Sequence, residues 1–120
     1  MEYSIGRFAG MTGLSIDTLR YYEKEQLIIS KRDNNNRRIY DDSDVIWINF
    51  ILRLKETNMP IRMIRKYSIL RYQGDSTVKE RMELLKSHMN QMLEDKRKIE
   101  ENILHLQNKI AIYQEKLAEL

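Results

Sequence analysis

Apolar residues return along the second part of the chain at alternating steps of four and three. They are Val78, Met82, Leu85, Met89, Met92, Ile99, Ile103, Leu106, Ile110, Tyr113, Leu117 and Leu120, with Lys96 the one polar member of the series. A helix packed on a globular core carries a wider stripe that drifts in phase, whereas a sustained period of about 3.5 residues is the seam of a two-stranded coiled coil. No glycine or proline interrupts residues 77–120. The pattern predicts one long helix there, and a seam of that length needs a partner because left bare it would aggregate.

The first part of the chain is punctuated differently. Ser4 caps a short helix to Met11 with Ile5, Phe8 and Ala9 on one face. Thr12-Gly13-Leu14 breaks it, and Ser15 caps a second helix running to Lys24, with Asp17 and Lys24 placed to suit its dipole. Two short capped helices across a three-residue turn are the helix-turn-helix pattern. The β-branched run at Ile28-Ile29 and the pair Ile39-Tyr40 flank a polar tract rich in asparagine, which predicts a two-stranded wing over residues 28–40. Asp41 to Asp44 open a third helix reaching about Asn58. Pro60 stands at the first position of a fourth, Ile61 to about Tyr72, and Gln73-Gly74-Asp75 forms a hinge. The expected fold is mainly α: a winged helix-turn-helix domain over 1–73 and a coiled-coil dimerisation helix over 77–120.

Charge adds one point. Residues 1–75 hold 13 Lys/Arg and 10 Asp/Glu, while residues 76–120 hold 8 of each, so the whole excess of +3 lies in the first part. That fits a polyanionic partner only where motifs concentrate it. Cysteine is absent, which removes disulfides, thiolate metal ligands and thiol redox sensing. With no membrane-length apolar run and no signal-peptide core, the expectation is a cytoplasmic protein.

Three groups are candidates to face double-stranded DNA. On the second helix, Ser15, Asp17, Thr18 and Tyr21 point outward as Ile16 and Leu19 turn inward. Asp17 and Thr18 suit base edges, while Arg20 and the hydroxyls of Tyr21 and Tyr22 suit phosphate oxygens. Tyr21 and Tyr22 read equally well as core aromatics. In the wing, Lys31, Arg32, Arg37 and Arg38 place four cations within eight residues, beside Asn36 and Tyr40. Arg62, Arg65 and Lys66 on the fourth helix serve structure or phosphate contact with equal weight.

The run Tyr3-Ser4-Ile5-Gly6-Arg7-Phe8-Ala9, followed by Gly13-Leu14-Ser15-Ile16-Asp17-Thr18-Leu19-Arg20-Tyr21-Tyr22-Glu23, resembles the opening of the MerR family of regulators. The wing, Arg32 through Asn35 to Arg38-Ile39-Tyr40, is similar to that family's Asn-Gly-Tyr-Arg-x-Tyr sequence. Leu54 to Pro60, with Ile61 and Ile64, continues the likeness. Two positions depart from the pattern: Asn36 replaces a usual glycine, and Arg37 a usual tyrosine. Asparagine tolerates the same left-handed backbone.

The resemblance implies a homodimer joined by an antiparallel coiled coil of the last helices. It implies binding to an inverted-repeat promoter, and distortion of the DNA so that RNA polymerase is served indirectly. It makes Thr18, Arg20, Tyr21, Tyr22, Arg38 and Tyr40 the leading DNA contacts. The dimer seam would comprise Met82, Leu85, Met89, Met92, Lys96, Ile99, Ile103, Leu106, Ile110, Tyr113 and Leu117, with Lys96 near the two-fold axis and flanked by Asp95 and Glu100.

No cofactor or metal is expected: His88 and His105 read as surface residues, and the seam methionines as packing. The effector is not readable, and the chain is expected to carry no sensor domain beyond the coil. A small-molecule pocket would form between coil and DNA-binding domains. Trp47, Phe50, Tyr67, Tyr72 and Tyr113 are available to line it, although core packing is the default for each. The competing expectation is a DNA-bending architectural or excisionase-like coiled-coil protein that regulates no promoter. An enzyme is not expected, since neither a phosphate-binding loop nor a nucleophile–base cluster is present.

Overall fold

In the computed structural model, which describes residues 1–120, the elements run β1 (Glu2–Ser4), α1 (Ile5–Thr12), α2 (Ile16–Lys24), β2 (Lys31–Arg32), β3 (Arg38–Asp41), α3 (Asp42–Glu56) and α4 (Ile61–Gln73). A single 3-10 turn (Asp75–Thr77) leads into α5 (Val78–Glu119). The chain forms two compact units, Met1–Met82 and Glu83–Leu120.

Local chemistry accounts for the helix ends of the first unit. The Ser4 hydroxyl accepts from Arg7 N–H at 3.2 Å, and the Ser15 hydroxyl from Thr18 N–H at 3.0 Å. Gly13, at φ 72°, closes α1 by donating its N–H to the Ala9 carbonyl. Asp41 and Asp44 form a reciprocal capping box at the start of α3. Pro60 caps α4 from just outside the helix instead of occupying its first turn. Its ψ of 144° is still extended, and its missing N–H costs nothing there.

The sheet differs from the sequence expectation. The wing hairpin has its two strands, but β1 joins it as a third, in the antiparallel order β1-β3-β2 with Tyr3 opposite Tyr40 and Arg32 opposite Arg38. Ile28 and Ile29 are not in a strand. Ile28 is buried with Leu27, so this apolar run feeds the core, and Ile29 donates its N–H to the Tyr72 hydroxyl at 3.0 Å. A three-residue strand at the N-terminus carries too short a pattern to be read alone. In the hairpin turn, Asn36 takes φ 59°, the left-handed backbone expected of it. The Asp33 carboxylate accepts the N–H groups of Asn35 and Arg37, each at 2.9 Å.

The core is knitted around the Leu27 carbonyl. This oxygen accepts from the Trp47 indole N–H of α3 at 2.8 Å and from the Ser68 hydroxyl of α4 at 2.6 Å, and both bonds are buried. The Leu27 N–H in turn donates to the Tyr22 carbonyl of α2 at 2.9 Å. Three helices thus converge on one residue, among Leu19, Ile48, Ile51 and Ile64. Phe8 and Tyr40 stack at 4.2 Å with rings 4° from parallel, which fixes α1 against β3. The second unit is different in kind: α5 is 42 residues long and buries none of them in the isolated chain.

Asp41 yields a stability prediction. The Ser43 hydroxyl and the Lys31 ammonium hold its carboxyl well below the usual carboxylate range. Such a group contributes stability that is present above its unfolded pKa of about 4 and lost as pH falls towards the depressed folded value. Asp41→Ala should lower stability by about 1 kcal/mol at neutral pH, and Asp41→Asn, which can still cap, by less. Denaturation at pH 7 and at about pH 3 should show the gap between wild type and the Asn variant narrowing in acid.

Candidate nucleic-acid interface

The helix-turn-helix presents one side of α2 to solvent. Leu19 is wholly buried, whereas Tyr21 is 47% exposed. Asp17 and Arg20 lie open to solvent and approach each other at 3.8 Å across one helical turn. The Ser15 hydroxyl donates to the Thr18 hydroxyl at 2.8 Å, which orients the side chains of the first turn. Ile16 remains partly exposed, so it does not turn fully inward as its spacing with Leu19 had suggested.

Two of the tyrosines named as candidate DNA contacts are buried, Tyr22 in line with the core reading left open for it and Tyr40 against expectation. Tyr22 is buried, and its hydroxyl accepts from the Lys55 ammonium at 3.0 Å while that cation sits 5.0 Å over the ring. Tyr40 is buried against Phe8, and its hydroxyl is enclosed without a hydrogen bond. Burial pushes that phenol above its ordinary value. A phosphate oxygen does not reach an enclosed hydroxyl in this conformation. Both rings therefore fix the elements that carry exposed groups.

The wing is tied to α2 by one carboxylate. Glu23 receives Arg38 at 2.6 Å, Arg32 at 3.4 Å and the Ser30 hydroxyl at 3.0 Å. Two of the four wing cations are thus engaged from the end of α2, and a third, Lys31, pairs with Asp41 at 3.1 Å. Arg37, at the tip, is exposed and pairs with no carboxylate. On α4, Arg65 is committed to the carboxylate and carbonyl of Glu25, whereas Arg62 and Lys66 stay exposed. The sequence expectation did not single out Glu23 or Lys55. An acidic residue at the end of an otherwise basic and aromatic helix was the available signal for Glu23. No three His, Asp or Glu side chains converge in a way that could hold a metal ion. No helix is long and apolar enough to cross a membrane.

If the clamp holds the wing, Glu23→Gln should speed hydrogen exchange at the amides of residues 38–40 about fivefold, the equivalent of about 1 kcal/mol in local opening. Unchanged exchange there would mean that ring packing alone holds the wing.

Residues 3–68 match the family described as MerR HTH family regulatory protein. The uncharacterized HTH-type transcriptional regulator YyaN of Bacillus subtilis is 33% identical, across 92% of this chain and 90% of its own. Among solved structures, HiNmlR, a MerR family regulator lacking the sensor domain and bound to promoter DNA, superposes with TM-score 0.74 at 29% identity, over 98% of this chain and 94% of that one. A MerR family transcriptional regulator from Bacillus thuringiensis gives TM-score 0.70 at 35% identity, over 92% and 98% of the respective chains.

Proposed function

The chain belongs to the MerR family of helix-turn-helix regulators and is a DNA-binding regulator of that type, and from that premise we propose that two copies of it bind one inverted-repeat promoter in the cytoplasm and distort it. The observation that carries this is the Glu23 clamp, which sets the wing beside the end of α2 so that helix and hairpin meet DNA as one body. In this arrangement Asp17 and Thr18 face base edges, and Ser15, Arg20 and Tyr21 reach phosphates. Arg37 meets the flanking backbone, with Arg32, Arg38 and Asn36 shaping the wing around it. The similarity to a promoter-bound regulator without a sensor domain supports promoter DNA as the ligand. RNA polymerase is then affected only through the DNA it reads. The relatives are named as regulators, not enzymes. No observation favours a purely architectural role.

Dimerisation rests on α5. Its seam from Met82 to Leu117 is apolar apart from Lys96, and in the single chain it is exposed except at Leu85, which is half-buried. We assign it to an antiparallel pair with a second copy, centred near Lys96 and covering the seam along the helix. Lys96 has a carboxylate within its own helix, Glu100 at 3.8 Å, with both side chains mostly exposed. A lysine so placed can stay hydrated beside the seam while disfavouring other registers. Lys96→Leu should therefore stabilise the dimer; a clearly weaker dimer by sedimentation would refute this role.

Selection from a random duplex library should enrich an inverted repeat. On that duplex, Arg20→Ala and Arg37→Ala should each weaken binding and lower the salt slope by about one, with the dimer intact. Wild-type affinity in both variants at physiological salt would remove these contacts.

A further inference from the structure

One buried side-chain oxygen has no hydrogen-bond partner. Tyr40 is 2% exposed, and its enclosed hydroxyl neither donates nor accepts. An unpaired buried hydroxyl is costly, and phenylalanine in its place would avoid the cost while keeping the stack on Phe8 at 4.2 Å. Ring packing therefore does not account for a tyrosine at this position.

The strand geometry shows what the oxygen faces. Tyr40 and Arg38 are alternate residues of β3, so their side chains leave the same face. From that face Arg38 Nε donates to Glu23 Oε2 at 2.6 Å, and the Ser30 hydroxyl donates to the same oxygen at 3.0 Å. The Tyr40 hydroxyl is near enough to feel both the Ser30 hydroxyl and the charge of Glu23, yet it bonds to neither. Burial first, and the Glu23 charge after it, keep the phenol protonated, so it is an unspent donor.

The donors that Glu23 already has are unequal. Arg38 is short and mostly buried, whereas Arg32 reaches Oε1 at 3.4 Å and is 41% exposed. Its other bond, to the Asn36 carbonyl, is 3.5 Å long. Both lie beyond the ordinary range of about 2.7–3.2 Å, so Arg32 is the cation that a phosphate draws away. Its departure leaves a mostly buried carboxylate short of a donor. The one proton of Ser30 is already on Glu23, but the Ser30 oxygen still has room to accept.

We propose that Tyr40 is a positioning residue for DNA binding. When Arg32 turns to a phosphate, the Tyr40 hydroxyl donates to Ser30, whose own proton stays on Glu23, and this chain holds the carboxylate under Arg38. The wing releases one cation without losing its pose. Tyr40 thus acts from inside the fold and touches no DNA. The DNA part of this inference rests on the regulator reading above; the exchange of donors at Glu23 does not.

The exchange is tested first in the free protein. Arg32→Ala removes the loose donor without DNA, so in that background the hydroxyl is engaged. By denaturant unfolding, Tyr40→Phe should leave the folding constant of the wild type unchanged or raised. It should lower that of Arg32→Ala about fivefold, the worth of one hydrogen bond. On the inverted-repeat duplex, Tyr40→Phe should weaken binding about fivefold. Ser30→Ala, which breaks the chain, should weaken binding as well, and adding Tyr40→Phe to it should cost nothing more. A tyrosine that only packs would affect folding equally in both backgrounds and would show no coupling to Ser30. Equal loss of stability in both backgrounds overturns the proposal, as does no loss in either, or wild-type DNA binding by Tyr40→Phe. If no duplex is bound at all, the two folding measurements still decide the exchange at Glu23.

Discussion

A single buried carbonyl oxygen organises the DNA-binding unit. Leu27 leaves the end of α2 with its oxygen turned into the core, where water cannot reach it, and an unsatisfied acceptor there would cost about 1–3 kcal/mol. Trp47 and Ser68 each donate to it, so α3 and α4 are both docked to the exit of α2. The path of the chain into the wing follows from that docking. Ile28 is drawn inward, Ile29 is held by Tyr72, and Ser30 arrives beside Glu23.

Glu23 then turns position into function. Arginines at a hairpin tip would otherwise repel one another and spread, and a carboxylate shared by two of them gives the wing a defined pose at modest cost. The engaged cations keep donors for a phosphate, while Arg37 is left wholly available. Charge in this unit is therefore sorted into cations that shape the wing and cations that remain open. Net charge alone could not have revealed this.

Much of the fold was legible because its signals are local. Ser4, Ser15 and Asp41 announced helix starts, Gly13 and Asn36 announced left-handed turns, and the four-three spacing after Val78 announced α5. What escaped depends on partners distant in sequence. The strand Glu2–Ser4 exists because β3 is there to pair with it. Tyr40 is interior because Phe8 stacks on it, 32 positions away in the chain. For the same reason Tyr40, named as a DNA contact on motif grounds, lies buried, as does Tyr22, for which the core reading had stood beside the contact reading. Glu23 was passed over because its role appears only when Ser30, Arg32 and Arg38 converge on it. Of the aromatic residues of α3 and α4, Trp47 and Tyr67 are buried as the core reading expected, while Phe50 and Tyr72 are half-buried.

The central claim is that this chain acts in pairs, each copy supplying one helix-and-wing reader and α5 supplying the joint. The most direct test is the mass of the complex on a short duplex carrying one inverted repeat, measured by sedimentation. The account predicts the duplex plus two chains of 14.5 kDa, with a single half-site capturing the same pair more weakly. A complex containing one chain, at concentrations where the full repeat is saturated, would contradict it.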